Sequence, residues 1–196
     1  MAVRPSSDDL IWKLGARLPG HDYRVFTTGF VEGTHPRTGA TRRFSLIDSQ
    51  DWVNVLALTA DRQVVLLRQF RVGAGRVCLE IPGGIIEPGE PPCIAAAREL
   101  AEETGYVPGK LAYLGEMCYD AYFGIARHYF LATGCELRGE QELDPNEFVT
   151  VREATFADLV TRAMTAGMTD PGGVLLALPY LMRDPGVREL FKAGRD

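Results

Sequence analysis

The spacing of apolar and polar residues in the first fifty positions predicts a β-hairpin. Residues 23–26 and 30–32 have the composition of a strand, and residues 35–39 supply Pro and Gly for a turn. Residues 41–47 then form the returning strand. Residues 1–22 are mixed in character and end in a Pro–Gly turn. We therefore expect strands at the N-terminus before the main part of the chain begins.

The middle of the chain predicts the strands of a larger sheet. Two apolar runs, at 53–58 and 63–70, flank a short turn and predict a second hairpin near the centre of a sheet. Further strands are predicted at 110–118, 126–132 and 148–151.

Three segments have the features of helices. Residues 91–104 begin with two prolines, which suit a first helical turn. Residues 156–167 have apolar residues at helical spacing, and residues 171–181 follow Thr169 or Asp170 as the N-cap. Many strands and few helices predict an α+β fold, namely an α/β/α sandwich around a mixed sheet.

The helix predicted at 91–104 concentrates negative charge. Cys93, Ala97, Leu100 and Thr104 are expected to form its buried stripe. Three glutamates are expected on the opposite, solvated face at i, i+3 and i+4, where like charges destabilise a helix by a few tenths of a kcal/mol per pair. They are Glu99, Glu102 and Glu103.

Such an acidic patch beside a glycine-rich loop is typical of a divalent-metal site. Ligands that are all oxygen select a hard cation, so we expect Mg²⁺ first and Mn²⁺ as a substitute. Zinc is not expected, because no His or Cys lies on this face.

Composition limits the possible partners and the cellular location. Twenty-one Lys and Arg against 26 Asp and Glu give a net charge of −5, which argues against nonspecific nucleic-acid binding. The longest apolar stretch, 174–182, is too short to span a bilayer, and the N-terminus has no signal-like apolar core. The four cysteines have no metal or redox spacing. We therefore expect a cytoplasmic protein with no membrane or nucleic-acid partner.

The segment around the acidic helix resembles a known signature. Gly84, five residues, Glu90, seven residues and then the sequence at 98–106 match every fixed position of the Nudix box. The one soft departure is Tyr106, where an aliphatic residue is commoner. The resemblance implies an α/β/α sandwich and a metal-dependent hydrolase that acts on a nucleoside diphosphate linked to another moiety. Water attacks a phosphorus of the diphosphate in such enzymes.

The resemblance also implies roles for individual residues. Glu99 and Glu103 are then the principal metal ligands, with Glu102 as a further ligand. The Gly83 carbonyl also coordinates the metal in this scheme. Arg98 orients a glutamate, and Glu90 steadies the loop.

The flanks are similar to the ADP-ribose pyrophosphatase branch of this family. The branch has a Gln–aromatic–Arg strand end, matched here by Gln69 and Arg71, and a later glutamate, matched by Glu80. This similarity implies that Arg71 reaches a phosphate or ribose, and that Gln69 and Glu80 line the substrate site. The N-terminal strands then cross to a second subunit, so we expect a homodimer. The corresponding domains are an N-terminal strand region at 1–50 and a Nudix domain at 51–196.

Two features leave the substrate and the base open. Residues 119–124 lack the Ser–Pro–Gly of ADP-ribose-selective members, and Tyr122 is more typical of dinucleoside-polyphosphate hydrolases. A nucleotide-sugar pyrophosphatase is the leading hypothesis, and a dinucleoside-polyphosphate or nucleoside-triphosphate hydrolase is the alternative. A non-catalytic nucleotide-sugar sensor is disfavoured by the intact box. Glu147, beyond the box, is the candidate general base, although a box glutamate serves in some members.

Overall fold

The computed structural model of this protein describes residues 10–118, 122–165 and 168–192. The described residues divide into two compact units. The first lies within residues 1–50 and 118–126, and the second within residues 51–117 and 127–196. The sequence did not predict that residues around 122–126 join the N-terminal unit.

The first unit contains an antiparallel sheet of three strands in the order β1–β2–β3. These strands are β1 Lys13–Asp22, β2 Thr27–Thr34 and β3 Thr41–Asp48. The predicted hairpin therefore exists, although its first strand begins at Thr27 rather than residue 23. The strand β1 was not predicted, because all ten of its residues are exposed and it has no apolar period. Register shifts on both sides of Pro19 let the strand pass through a proline.

The second unit is built on a mixed sheet of seven strands. Its main path runs β10–β5–β4–β9–β7, with β6 paired to β5 and β8 paired to β9. The strands β4 and β9 are parallel, whereas the pairs β4–β5, β5–β6, β5–β10 and β7–β9 are antiparallel. The bounds are β4 Trp52–Thr59, β5 Val64–Arg71, β6 Arg76–Glu80, β7 Tyr106–Val107, β8 Lys110–Cys118, β9 Ala126–Leu137 and β10 Val149–Ala154.

In the described residues of the second unit there are four α-helices: α1 Pro92–Thr104, α2 Phe156–Met164, α3 Gly172–Leu181 and α4 Pro185–Lys192. Alternate residues of β4 enter two separate apolar clusters. Val53 and Val55 pack with Leu100 of α1, whereas Leu56 packs with Leu159 of α2 and with α3. Helices therefore cover both faces of the sheet, and the predicted α+β sandwich is confirmed.

Several helix predictions need correction. Cys93 is exposed, and the buried face of α1 is formed by Ala95, Ala96, Leu100, Glu103 and Thr104. The N-cap of α3 is Pro171, although the Asp170 carboxylate accepts a hydrogen bond from Gly172 N at 2.8 Å. The helix α4 and the short strand β6 were not predicted. Among the described residues, no helix is long and apolar enough to cross a membrane.

Candidate active site

A loop joins β6 to α1 and is fastened to the edge of β4. Val53 N donates to Gly84 O at 2.9 Å, and Val55 N donates to Pro82 O at 2.7 Å. Gly83 lies so close to β4 that a Cβ atom there would stand 2.1 Å from the Val53 carbonyl oxygen. Glycine is therefore required at this position because the backbones are in contact.

The carboxylate of Glu103 is buried beneath this loop, and its side chain accepts a hydrogen bond from Gly83 N at 2.7 Å. The helical spacing predicts Glu103 on a solvated face, and that prediction is wrong. The pKa of Glu103 is raised to about 8: burial is the largest cause, the charges of Glu99 and Glu147 act in the same direction, and the Gly83 N–H and the charge of Arg71 oppose them. The ionised form of the Glu103 carboxylate is therefore strongly disfavoured when no cation is bound beside it.

Arg98 connects the other acids of the box. Its Nε and Nη2 donate to the two carboxylate oxygens of Glu90, each at 2.9 Å. Its Nη1 donates to Glu99 at 2.8 Å and to Glu102 at 3.0 Å. The hydrogen bond from Arg98 lowers the pKa of Glu90, whereas burial raises the pKa of Glu99 in spite of Arg98. This geometry supports positioning roles for Arg98 and Glu90.

The carboxylate of Glu99 packs against the backbone of Gly84. A Cβ atom at Gly84 would lie 2.5–2.6 Å from the carboxylate atoms of Glu99. Real Cβ contacts are never this short, so any side chain at position 84 displaces the Glu99 carboxylate. The first glycine of the box is therefore explained by the space that Glu99 occupies.

The described part of the chain contains no group of three His, Cys, Asp or Glu side chains already arranged to hold a metal ion. Arg98 occupies the position between Glu99 and Glu102 that a cation could take. The donor chemistry nevertheless fits a hard divalent cation, because the acids carry oxygen ligands only and the charge of Glu103 is poorly compensated. The set of metal ligands stays a prediction. It consists of Gly83, Glu99, Glu102 and Glu103.

The C-terminus of α1 is held by a segment that follows β9. Gln141 Nε2 donates to the backbone carbonyl of Glu103 at 2.6 Å, and Glu142 N donates to that of Glu102 at 2.8 Å. These contacts satisfy carbonyls that a helix end leaves unpaired. Residues 139–147 form an acidic segment that is tied to the end of α1 through Gln141 and Glu142. Its last acid, Glu147, is close enough to influence the pKa of both Glu99 and Glu103.

The cation predicted to contact substrate, Arg71, ends β5 and is paired with Glu80 of β6. Arg71 Nε donates to Glu80 Oε1 at 2.7 Å, and Nη2 donates to Glu80 Oε2. This pairing raises the pKa of Arg71, and the charges of Glu103 and Glu147 act in the same direction. Arg71 and Glu80 both line a cavity of about 210 Å³, whereas Gln69 is not among its lining residues.

The same cavity contains residues that the sequence did not identify. The residues that line this cavity together with Gly83 include Trp52, Asn54, Arg127 and Asp170. Within the described residues, Asn54 Oδ1 is buried and has no hydrogen-bond partner. An unpaired acceptor of this kind costs about 1–3 kcal/mol, so it calls for a functional explanation. The parallel pairing of β4 with β9 brings these residues together, and no local sequence signal predicts that pairing.

Tyr122 is the aromatic residue that was predicted to mark the alternative substrate. Tyr122 is exposed and belongs to the first unit, and residues 119–121 lie outside the described residues. His128 lies on β9 with Nδ1 3.2 Å from the Tyr113 hydroxyl. No additional catalytic group is therefore assigned from these residues.

Comparisons with known proteins find a matching family model and related chains. The NUDIX domain model matches residues 49–172. An ADP-ribose pyrophosphatase of Bacillus subtilis is 36% identical over 131 residues, which are 66% of this chain and 71% of that protein. A methanol dehydrogenase activator of Bacillus methanolicus is 32% identical over 153 residues, covering 77% of this chain and 82% of that protein.

A solved structure described as an ADP compounds hydrolase has the same fold. Its TM-score is 0.75 at 22% sequence identity, and the match covers 97% of this chain and 100% of that chain. At this level of identity the likeness concerns the fold alone.

Proposed function

This chain belongs to the Nudix hydrolase family, and we propose that it hydrolyses the diphosphate bond of a nucleoside diphosphate sugar of the ADP-ribose type. The products are a nucleoside monophosphate and a sugar phosphate. The observation that carries the proposal is the placement of Glu103. Its buried carboxylate lies beside the glycine loop, and the charge of Arg71 acts on it from the cavity side.

Mg²⁺ is the proposed cofactor, with Mn²⁺ as a substitute. The groups that would hold the cation are the carboxylates of Glu99, Glu102 and Glu103 and the carbonyl of Gly83. A bound divalent cation in such a site polarises phosphoryl oxygens and lowers the pKa of bound water. The protein's own contribution is to hold these oxygens in a partly buried place, with Arg98 fixing Glu99 and Glu102 until they engage the ion.

Glu147 is the proposed general base. It lies in the segment that is fastened to the end of α1, and its charge acts on Glu99, Glu103 and Arg71. A carboxylate there can accept a proton from the attacking water while the helix glutamates stay engaged. Glu147→Gln is expected to lower kcat with little change in KM. An unchanged kcat would assign the base to a glutamate of α1.

A homodimer formed through the N-terminal strands is also proposed. The first unit leaves large apolar side chains exposed, among them Leu14, Leu18 and Phe30. Exposed apolar groups on one small sheet support contact with a second copy. Light scattering at micromolar concentration should give twice the chain mass, and a monomeric mass would contradict this assignment. We also propose a cytoplasmic location, which four unpaired cysteines support.

The decisive experiment is a substrate panel in Mg²⁺ with identification of products. It compares ADP-ribose, other nucleotide sugars, dinucleoside polyphosphates and nucleoside triphosphates. The proposal expects the highest kcat/KM for a nucleotide sugar, with a nucleoside monophosphate and a sugar phosphate as products. Preference for a dinucleoside polyphosphate or a triphosphate would replace it with the alternative hydrolase activity, and binding without turnover would indicate a sensor.

A further inference from the structure

We infer that the side-chain amide of Asn54 binds the diphosphate of the substrate, with Nδ2 donating to a non-bridging phosphoryl oxygen. The inference rests on the proposed function and adds to it a substrate-binding residue. Asn54 lies on β4, outside the Nudix box and outside the flanking motif at 69–71. The observation that carries the inference is its oxygen Oδ1, which is buried and has no hydrogen-bond partner within the described residues.

Asn54 lies directly opposite Gly83, where the glycine loop pairs with β4. The two backbone hydrogen bonds that fasten the loop flank Asn54, because they come from Val53 N and Val55 N. Gly83 has no side chain, and the amide lies across the space that a side chain would take. A Cβ atom at Gly83 would stand only 2.9 Å from Asn54 Nδ2. The amide therefore packs on the backbone of the residue whose N–H binds Glu103.

The two ends of this amide have different surroundings. Asn54 and Gly83 both line the cavity of about 210 Å³, whereas Oδ1 of Asn54 is buried. The Nδ2 end is therefore the end that a ligand in the cavity can reach. An amide nitrogen donates hydrogen bonds and does not accept them. A phosphoryl oxygen, which only accepts, satisfies such a donor completely, whereas a hydroxyl group would also need an acceptor.

The amide is kept at the expense of stability. A buried acceptor without a partner destabilises the folded state, and an apolar side chain of the same shape would remove that effect. The strand β4 is otherwise apolar from Val53 to Leu58, so packing of the sheet does not require an amide at this position. A polar group that lowers stability and lines a cavity is typical of a functional site.

The charged residues of the cavity are already paired with one another. Arg71 pairs with Glu80, and Arg127 pairs with Asp170 at 2.9 Å. The cavity is thus lined by two positive and two negative side chains. The Asn54 amide adds a donor for an anionic ligand that does not require either ion pair to open.

The position of Gly83 connects this donor to the proposed reaction. Gly83 N binds Glu103, and the amide of Asn54 packs on the same residue. The charge of Arg71, which lines the cavity, also acts on Glu103. A diphosphate bound beside Glu103 therefore presents phosphoryl oxygens to Asn54 Nδ2.

Two substitutions of Asn54 separate the donor from the shape of the side chain. Asn54→Leu keeps the branched shape and removes both the donor and the unpaired acceptor. Asn54→Asp keeps the shape and replaces the donor with a charged acceptor. Thr150→Val is the control, because it also exchanges a polar group for an apolar one of similar size in this sheet. Thr150 is exposed on β10 and does not line the cavity.

The inference predicts that Asn54→Leu lowers kcat/KM for ADP-ribose about tenfold, mainly through KM, while its melting temperature rises by a few degrees. Asn54→Asp should lose about a hundredfold, because its carboxylate repels the diphosphate. Thr150→Val should keep the activity of wild type.

Three results would overturn the assignment. Wild-type activity of Asn54→Leu would show that the amide does not bind substrate. A lower melting temperature of Asn54→Leu together with lower activity would assign a structural role to the amide. Activity of Asn54→Asp equal to or above that of Asn54→Leu would show that the oxygen, and not the nitrogen, is the functional atom.

A binding measurement separates this inference from the proposed function. The probe is α,β-methylene-ADP, whose P–C–P bridge cannot be hydrolysed, titrated calorimetrically in Mg²⁺. Wild type and Thr150→Val should bind it alike, and Asn54→Leu should bind it about tenfold more weakly. If this pattern holds but the wild type hydrolyses no nucleotide sugar, the role of Asn54 stands and the proposed function fails. If the wild type hydrolyses ADP-ribose but Asn54→Leu binds the probe as wild type does, the role of Asn54 fails alone.

Discussion

The Arg71 guanidinium meets the Glu80 carboxylate edge to edge, with Nε on one oxygen and Nη2 on the other. The pair ties the end of β5 to the end of β6 at the mouth of the cavity. Glu80 is more deeply buried than Arg71, with 11% of its side chain exposed against 39%. The arginine is therefore oriented by the glutamate and presents its outer edge to the cavity.

Arg71→Ala is expected to lower kcat/KM by roughly ten- to hundred-fold, chiefly by raising KM, because a charge-assisted contact is worth about 1.5–3 kcal/mol. Arg71→Lys should restore part of this loss, since an ammonium cannot form the planar pair. Arg68→Ala is the control, because Arg68 lies on the same strand with opposite parity and faces away. Michaelis curves that are equal for Arg71→Ala and Arg68→Ala would remove Arg71 from the substrate site.

The buried position of Glu103 changes the expected behaviour of its amide variant. Glu103→Gln should lower kcat at least ~10²-fold, because a neutral amide is a poor ligand for a hard cation. In metal-free buffer its melting temperature should equal or exceed that of wild type, since the variant no longer buries a repelled charge.

The effect of Mg²⁺ on the melting temperature of Glu103→Gln provides a second test. Adding Mg²⁺ should raise the melting temperature of wild type more than that of the variant, because only ligands that bind the native state stabilise it. Glu140→Gln, an exposed change in the neighbouring acidic segment, should behave as wild type in both assays. Near wild-type turnover by Glu103→Gln would exclude Glu103 as a metal ligand.

The contact between Gly84 and Glu99 predicts an activity defect without a stability defect. Gly84→Ala places a methyl group where the Glu99 carboxylate lies, and the flexible glutamate can move aside. We expect kcat/KM to fall at least tenfold while the melting temperature changes by only a few degrees. Gly73→Ala is the matched control, because a Cβ atom at Gly73 meets open space. Equal activity of the two variants would show that the position of Glu99 is unimportant.

Tyr106, the unusual residue at the end of the box, predicts a feature at alkaline pH. Its hydroxyl donates to Glu153 Oε1 at 2.5 Å, and this hydrogen bond raises the pKa of Tyr106 to about 12. The neutral form is favoured in the folded state, so this contribution to stability is present below pH 10 and is lost as the pH rises through 12.

Absorbance titration near 295 nm should therefore differ between wild type and Tyr106→Phe by one ionisation with a midpoint near 12. Glu153→Gln should shift that ionisation down towards 10, because the hydrogen bond to a charged acceptor is lost. A difference curve centred near 10 in the otherwise native protein would show that the two side chains do not interact.

The helix α1 and its acidic residues could be predicted from sequence because their spacing is local. Glu99, Glu102 and Glu103 occupy one helix at fixed spacing, and the glycine loop precedes it directly. Their burial could not be predicted, because it depends on how the loop at Gly83 packs against β4. A glutamate with a buried carboxylate looks the same in sequence as one in water.

Features that depend on distant pairing were missed for the same reason. Trp52 and Arg127 become neighbours only through the parallel register of β4 and β9. The strand β1 was missed because a strand exposed along its whole length has no apolar alternation. Local patterns therefore predicted most of the elements but not β1, β6 or α4, and tertiary contacts determined which polar residues share the cavity.

The link between α1 and residues 141–142 has a consequence for how the protein opens. The amide of Glu142 and the side chain of Gln141 bind carbonyls at the end of the catalytic helix, about 40 positions earlier in the chain. Neither element can fray without breaking bonds to the other, so the helix and the segment that leads to Glu147 unfold as one cooperative unit. The amide hydrogen of Glu142 should then exchange with solvent as slowly as those of the helix. The predicted metal ligands on α1 and the proposed base are thereby lost or kept together.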